Sequence, residues 1–179
     1  MNRWLQLLVV LAICATWVVA GLTWARLPEQ IPTHFNFFNE PDHWENRGAA
    51  FWFTFPVLGT VFGALIGLFY PWLYVRLARS NSVWLGGPKG FSDLPEDARV
   101  RAMVALTPWA AAMAIWMQAL FVFCLLDTYA VATGRRQTLT VAVWLCLGGF
   151  VAIGIAAGIH QSRAMKKLLA GARAEKATA

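Results

Sequence analysis

The chain has 179 residues, 59% of them apolar and 13% charged, where a soluble domain carries roughly 25% charged side chains. That balance excludes a disordered chain, and 15 Lys+Arg with 9 Asp+Glu are too few to cover a soluble globule. The net charge of +6 sits beside apolar runs, with no aromatic-interleaved basic patch, so it suits a membrane surface and predicts no nucleic-acid partner.

Four apolar runs follow along the chain and predict helices over 4–24, 51–75, 102–132 and 139–162. Each supplies the roughly 20 residues needed to cross about 30 Å of hydrocarbon, and lipid leaves helices as the form that satisfies every backbone polar group. The expected fold class is an all-α integral membrane protein, one membrane domain over 1–179. The first run is too long for a signal-peptide core and no A-x-A site follows it, so we expect an uncleaved helix. Eleven of the 15 Lys and Arg flank one side of these runs, and Arg26, Arg47, Arg135 and Arg136 the other. The predicted orientation in the membrane therefore has both termini and the loop 76–101 cytoplasmic and the loop 25–50 extracytoplasmic.

Within the runs, Gly59, Gly63 and Gly67 recur every four residues on the second helix, and Gly154 and Gly158 on the fourth. Such stripes bring helix backbones together. We expect them inside the bundle; a homo-oligomer face is the other reading. Pro56 and Pro71 are expected to bracket the second helix near its ends. Cys14, Cys124 and Cys146 read as small buried apolar residues. Gln118 is the strongly polar residue near mid-span, with Asp127 and His160 expected near helix ends, within reach of water. His160 reads as an interfacial cation at a helix C-terminus. A pump would need ionisable groups along a path, so transport is not expected.

The loop 27–44 is the least generic stretch. Pro28 and Pro32 hold its entry extended, Thr33 to Phe38 is β-prone, and Asn39-Glu40-Pro41-Asp42 has turn chemistry. This predicts a small hairpin over the bundle's outer end, with its phenylalanines and Trp44 at the interface. His34, Asn36, Glu40, Asp42, His43 and Glu45 cluster here. Imidazole and carboxylate suit zinc, yet no fixed scaffold such as HExxH accompanies them. A hydrogen-bonded network in which His34 and Asp42 pin the loop is the expected use; a metal-binding or enzymatic site at His34, Asp42 and His43 is the alternative. No nucleophile or oxyanion donor is in evidence, so we expect no enzyme, no cofactor and no bound metal.

The string Leu27-Pro28-x-x-Ile31-Pro32-x-His34-Phe35-Asn36, followed by Glu40-Pro41-Asp42, resembles the signature of domain-of-unknown-function family 1648, the N-terminal module of SdpI-type membrane immunity proteins. The family usually has glycine where Asn39 stands, and a lysine whose place Arg47 would take. Asn81 and the stretch Pro88-Lys89-Gly90-Phe91-Ser92-Asp93-Leu94-Pro95-Glu96-Asp97-Ala98-Arg99 resemble the Phe-x-x-Leu-Pro-x-x-x-Arg pattern of many short members. Ser92 or Asp93 is expected to cap a helix there that runs on into the third span. The full immunity proteins add further helices beyond this module. The resemblance implies a non-enzymatic protein that meets a peptide or toxin outside, with a regulator protein inside as a second partner. A structural accessory subunit of a larger membrane complex is the alternative.

Overall fold

A computed structural model describes residues 2–80 and 91–178. Asn81, Pro88, Lys89 and Gly90 of the resembling stretch lie outside the described residues. Four helical stretches are long and apolar enough to cross a membrane: Arg3–Trp24, Ala49–Arg79, Glu96–Ala132 and Ala142–Gly171. Large side chains such as Leu11, Val18, Leu145 and Val151 stand exposed on them, as lipid solvation demands.

Helix α1 (Arg3–Trp24) starts at Asn2, whose side chain accepts from the Trp4 amide. Its buried face is Val9, Thr16, Ala20 and Thr23. Both threonine hydroxyls donate to carbonyls one turn back, Ala12 and Val19, which removes their polarity from the apolar surroundings.

The second stretch differs from the expected simple helix. It comprises α2 (Ala49–Trp52), α3 (Thr54–Ala64), a π-helical turn at Leu65–Phe69 and α4 (Tyr70–Arg79). Pro56 does lie in the first turn of α3, but Pro71 lies well inside the span. Proline lacks an N–H and clashes with the carbonyl four residues back, here Gly67. The wide turn sits where that clash would fall, and lets the helix continue to Arg79.

The third stretch is also broken. Helix α5 (Glu96–Val104) and helix α6 (Thr107–Ala132) meet at a turn ahead of Pro108. The Val104 carbonyl that Pro108 cannot serve accepts instead from the Thr107 hydroxyl, at 2.9 Å. The expected cap by Ser92 or Asp93 is not made: Pro95 holds the N-cap position with no side-chain bond, and the Ser92 hydroxyl lies near Asp93 Oδ1. The resembling motif has a different use. Phe91 and Leu94 are buried with Ala78, Ala102, Met103 and Met165. Buried Arg99 donates to the Ala78 carbonyl at 2.9 Å and to the Leu94 carbonyl at 2.6 Å, which ties the end of α4 to the start of α5.

Helix α7 (Ala142–Thr178) has 37 residues, about 55 Å at 1.5 Å per residue, and runs far past the predicted end at 162. His160 is therefore mid-helix rather than at a C-terminus; it is exposed, with its ring 5.8 Å from Trp109. Only 6% of the apolar window of α7 is buried, against 22% in the second and third stretches. It is the loosest element of the bundle. The cysteines are free, but Cys146 alone among them is buried and Cys14 faces outward.

Between α1 and α2 lies an antiparallel hairpin, β1 (Gln30–Phe35) and β2 (Pro41–Asn46). Register runs Pro32↔Trp44, His34↔His43, Phe35↔Pro41, so Thr33 on β1 and Asp42 on β2 are each an extra residue. Two compensating bulges twist the ribbon.

Candidate interaction site at the hairpin

The hairpin base is anchored by apolar burial. Leu27, Ile31 and Trp52 pack with Ala20, Leu125 and Tyr129, so the root of β1 and the start of the second helical stretch rest on α1 and α6. Trp52 Nε1 donates to the Ala20 carbonyl at 3.0 Å. Arg47 closes the neck: its backbone N–H donates to Glu29, its guanidinium to the Leu27 carbonyl at 3.1 Å, and it lies over the Trp24 ring.

The turn is organised by Asn36. Its Oδ1 accepts from the Phe38 and Glu40 amides at 2.9 and 3.0 Å, and its Nδ2 donates to Glu40 Oε2. Asn39 takes the left-handed conformation, φ 65°, that asparagine tolerates better than other side-chain-bearing residues. Phe37 and Phe38 are thereby thrown outward, 84% and 76% exposed, in an edge-to-face pair. Trp44 is exposed on β2.

The histidines and carboxylates form two separate exposed pairs. His34 Nδ1 lies 2.6 Å from Asp42 Oδ1, and His43 Nε2 lies 3.1 Å from Glu45 Oε1. An ionised carboxylate only accepts, so the imidazole N–H is the donor in each. The bulge at Asp42 is what turns its carboxylate toward His34. Among the described residues no group of three His, Cys, Asp or Glu is arranged to hold a metal ion.

The tip is tied to the α6–α7 connection and the start of α7 by a contact that sequence reading missed. The Leu139 amide donates to the Asn39 carbonyl at 2.9 Å, and Trp144 Nε1 donates to Asn39 Oδ1 at 3.2 Å. The receiving segment is itself pinned by Asp127. That carboxylate was expected within reach of water but is 5% exposed. It accepts from Arg136 at 2.8 Å, from the Thr140 amide at 2.9 Å and from the Thr140 hydroxyl. A polar residue one turn from a helix end, facing two arginines across a short loop, was the available signal.

In the bundle interior, Gln118 is buried and joins three helices: its Oε1 accepts from Thr16 of α1 at 2.9 Å, and its Nε2 donates to the Gly59 carbonyl of α3 at 2.7 Å. Gly59 and Gly63 give it room. A Cβ at either would stand 2.7–2.8 Å from its amide, and one at Gly67 would stand 2.8 Å from Val9 and 2.9 Å from the Ala114 methyl. Gly154 and Gly158 depart from the expected packing, because a Cβ at either meets nothing within 4 Å. The close contact on α7 is instead at Gly149, where a Cβ would collide with the Trp116 ring. Trp116 Nε1 donates to the Cys146 carbonyl there, at 2.6 Å.

Residues 11–60 match the family model described as a domain of unknown function, DUF1648. The matched span begins in α1, contains the whole hairpin and ends in α3 at Thr60. It thus takes in Thr16 and Gly59, two of the groups around Gln118, as well as Asn36, Asn39 and the His34–Asp42 pair. No curated protein matches the chain, and no solved structure does.

Proposed function

We propose that this chain is a non-enzymatic protein of the bacterial inner membrane that senses, or protects against, a peptide or toxin arriving at the hairpin. The reading rests on the resemblance to SdpI-type immunity and signalling proteins and places both termini in the cytoplasm, on the side of the eleven basic residues. The observation that carries it is the hairpin tip: Phe37 and Phe38 stand free while Asn39, the next residue, is bonded to Leu139 and Trp144. A peptide that engages the phenylalanines competes directly with that attachment. Helix α7 then relays the change, because the same helix places Met165 in the apolar cluster with Phe91 and Ala102 at its other end.

The experiment is a challenge of cells with and without the gene, using a panel of membrane-active peptides. Protection that is lost with F37S/F38S while the protein stays in the membrane supports the reading; equal survival across the panel with and without the gene removes it. A second reading, an accessory subunit of a larger membrane complex, draws on the weakly covered α7 face, where Val151 and Ile155 are exposed beside the open Gly154 and Gly158. Mild-detergent purification separates the two, since an accessory subunit brings a partner with it and a lone monomer argues against that use.

A further inference from the structure

We propose that the groove between α1 and α6, on the hairpin side of the bundle, is a binding site for one anionic phospholipid, with Arg26 and Arg135 holding its phosphate. The groove has a volume of about 340 Å³. Val19 and Leu22 of α1 and Leu126 and Ala130 of α6 form its apolar walls, and Arg26 and Arg135 also line it. Leu22 is 64% and Leu126 41% exposed, so the groove opens to the surroundings of two membrane-spanning helices.

Charge bookkeeping selects the occupant. The hairpin side carries four arginines, and two of them have oxygen partners in the protein: Arg47 on the Leu27 carbonyl and Arg136 on Asp127. The remaining two are the pair at this groove. Neither makes an ion pair with a carboxylate among the described residues, and the acid on this stretch of α6, Asp127, is already committed to Arg136 and Thr140.

The backbones of both arginines are fixed beside the groove, and a ring positions the Arg135 side chain. The Arg26 amide donates to the Thr23 carbonyl at 3.0 Å, the Arg135 amide donates to Ala130 at 2.8 Å, and the Arg135 guanidinium lies 5.5 Å from the centre of the Tyr129 ring. Both arginines are exposed just beyond the ends of α1 and α6, at headgroup depth, where a phosphate between them gains charge-assisted hydrogen bonds from each. Apolar walls running on from the two charges favour a phosphate that carries acyl chains over a soluble anion, which would leave Leu22 and Leu126 unused. A net negative headgroup is favoured over a zwitterionic one because the site offers two positive charges and no carboxylate free to meet a choline.

The test is thermal unfolding of the full chain in neutral detergent micelles, with phosphatidylglycerol, phosphatidylcholine or inorganic phosphate added. Phosphatidylglycerol is expected to raise Tm, with an apparent affinity that falls about tenfold or more in R26Q/R135Q and largely persists in R26K/R135K. An equal rise with phosphatidylcholine would overturn the proposal by showing that the charges are idle. A rise with inorganic phosphate alone would overturn it by showing an anion site with no use for the groove. Unchanged phosphatidylglycerol binding in R26Q/R135Q would also overturn it. Should that variant not fold, the native chain decides: a phosphatidylglycerol effect that weakens with added salt supports the site, and one indifferent to salt refutes it.

Discussion

Gly59, Gly63 and Gly67 on the second stretch lie against Gln118, Ile13, Val9 and Ala114, whereas Gly154 and Gly158 on α7 carry the same four-residue spacing and face open space. Spacing places glycines on one face of a helix, but it does not say whether another helix covers that face. What differs is the neighbour. The first stripe is met by α1 and α6 together, with a buried polar side chain to satisfy; α7 meets α6 closely where Trp116 covers Gly149 and leaves room for a Cβ at Gly154 and Gly158. Small residues promote close packing only where a partner surface arrives with matching shape.

Adding one methyl group to each helix sharpens that contrast. Gly67→Ala is expected to cost most, about 1–3 kcal/mol, because the Ala114 methyl is fixed by its backbone and cannot swing aside. Gly149→Ala falls in the same range but below it, since the Trp116 ring can rotate away, at the loss of its bond to Cys146. Thermal unfolding in micelles measures the first. Protease sensitivity of α7 measures the second, and unchanged resistance would contradict the assigned contact.

Gln118→Leu is expected to cost about 0.6–1.7 kcal/mol, less than its burial suggests. The single Thr16 hydroxyl proton lies between Gln118 Oε1 and the Ala12 carbonyl and turns wholly to the carbonyl when the amide is gone, so the leucine leaves no orphaned donor there. A loss above about 3 kcal/mol would mean that the amide does more than join the helices.

Asn39→Ala should cost about 1 kcal/mol, from the left-handed backbone and the lost Trp144 bond together. Asn39→Gly keeps the conformation and the backbone bond from Leu139. Hydrogen exchange at the Leu139 amide should therefore be faster in N39A than in N39G. Equal rates would detach the turn from the α6–α7 connection. The smallest effect belongs to Gly158→Ala, where the open surroundings predict a change within about 0.5 kcal/mol, or a small gain from helix propensity. A loss as large as that of Gly67→Ala would place an unrecognised neighbour against α7.

The spans and the hairpin were readable in the sequence because their causes are local. Long apolar runs, Pro28 and Pro32 ahead of a β-prone segment, and Asn39 at a bend act within a few residues. The π-helical turn was less readable, although Pro71 is its signal, because a proline inside a span can be met by a kink, a break or a widened turn. Arg99 was counted as a loop charge; its two carbonyl partners, Ala78 and Leu94, are fixed only when α4 and α5 fold back on each other. Gln118 stood out as polar, but its partners Thr16 and Gly59 come from helices 102 and 59 residues away. Within the hairpin cluster the His34–Asp42 contact was expected from the sequence, whereas the separate pairing of His43 with Glu45 follows from the register shifted by the bulges.

Impermeant maleimide labelling of intact cells tests the arrangement most directly, with Cys14, Cys124 and Cys146 first replaced by alanine. A cysteine at the hairpin tip, F37C, should label at once, and one near the far end of α7, A170C, should label only after the membrane is opened. Labelling of both from outside, or of A170C alone, would contradict a bundle that holds its hairpin and its basic tail on opposite faces of the bilayer.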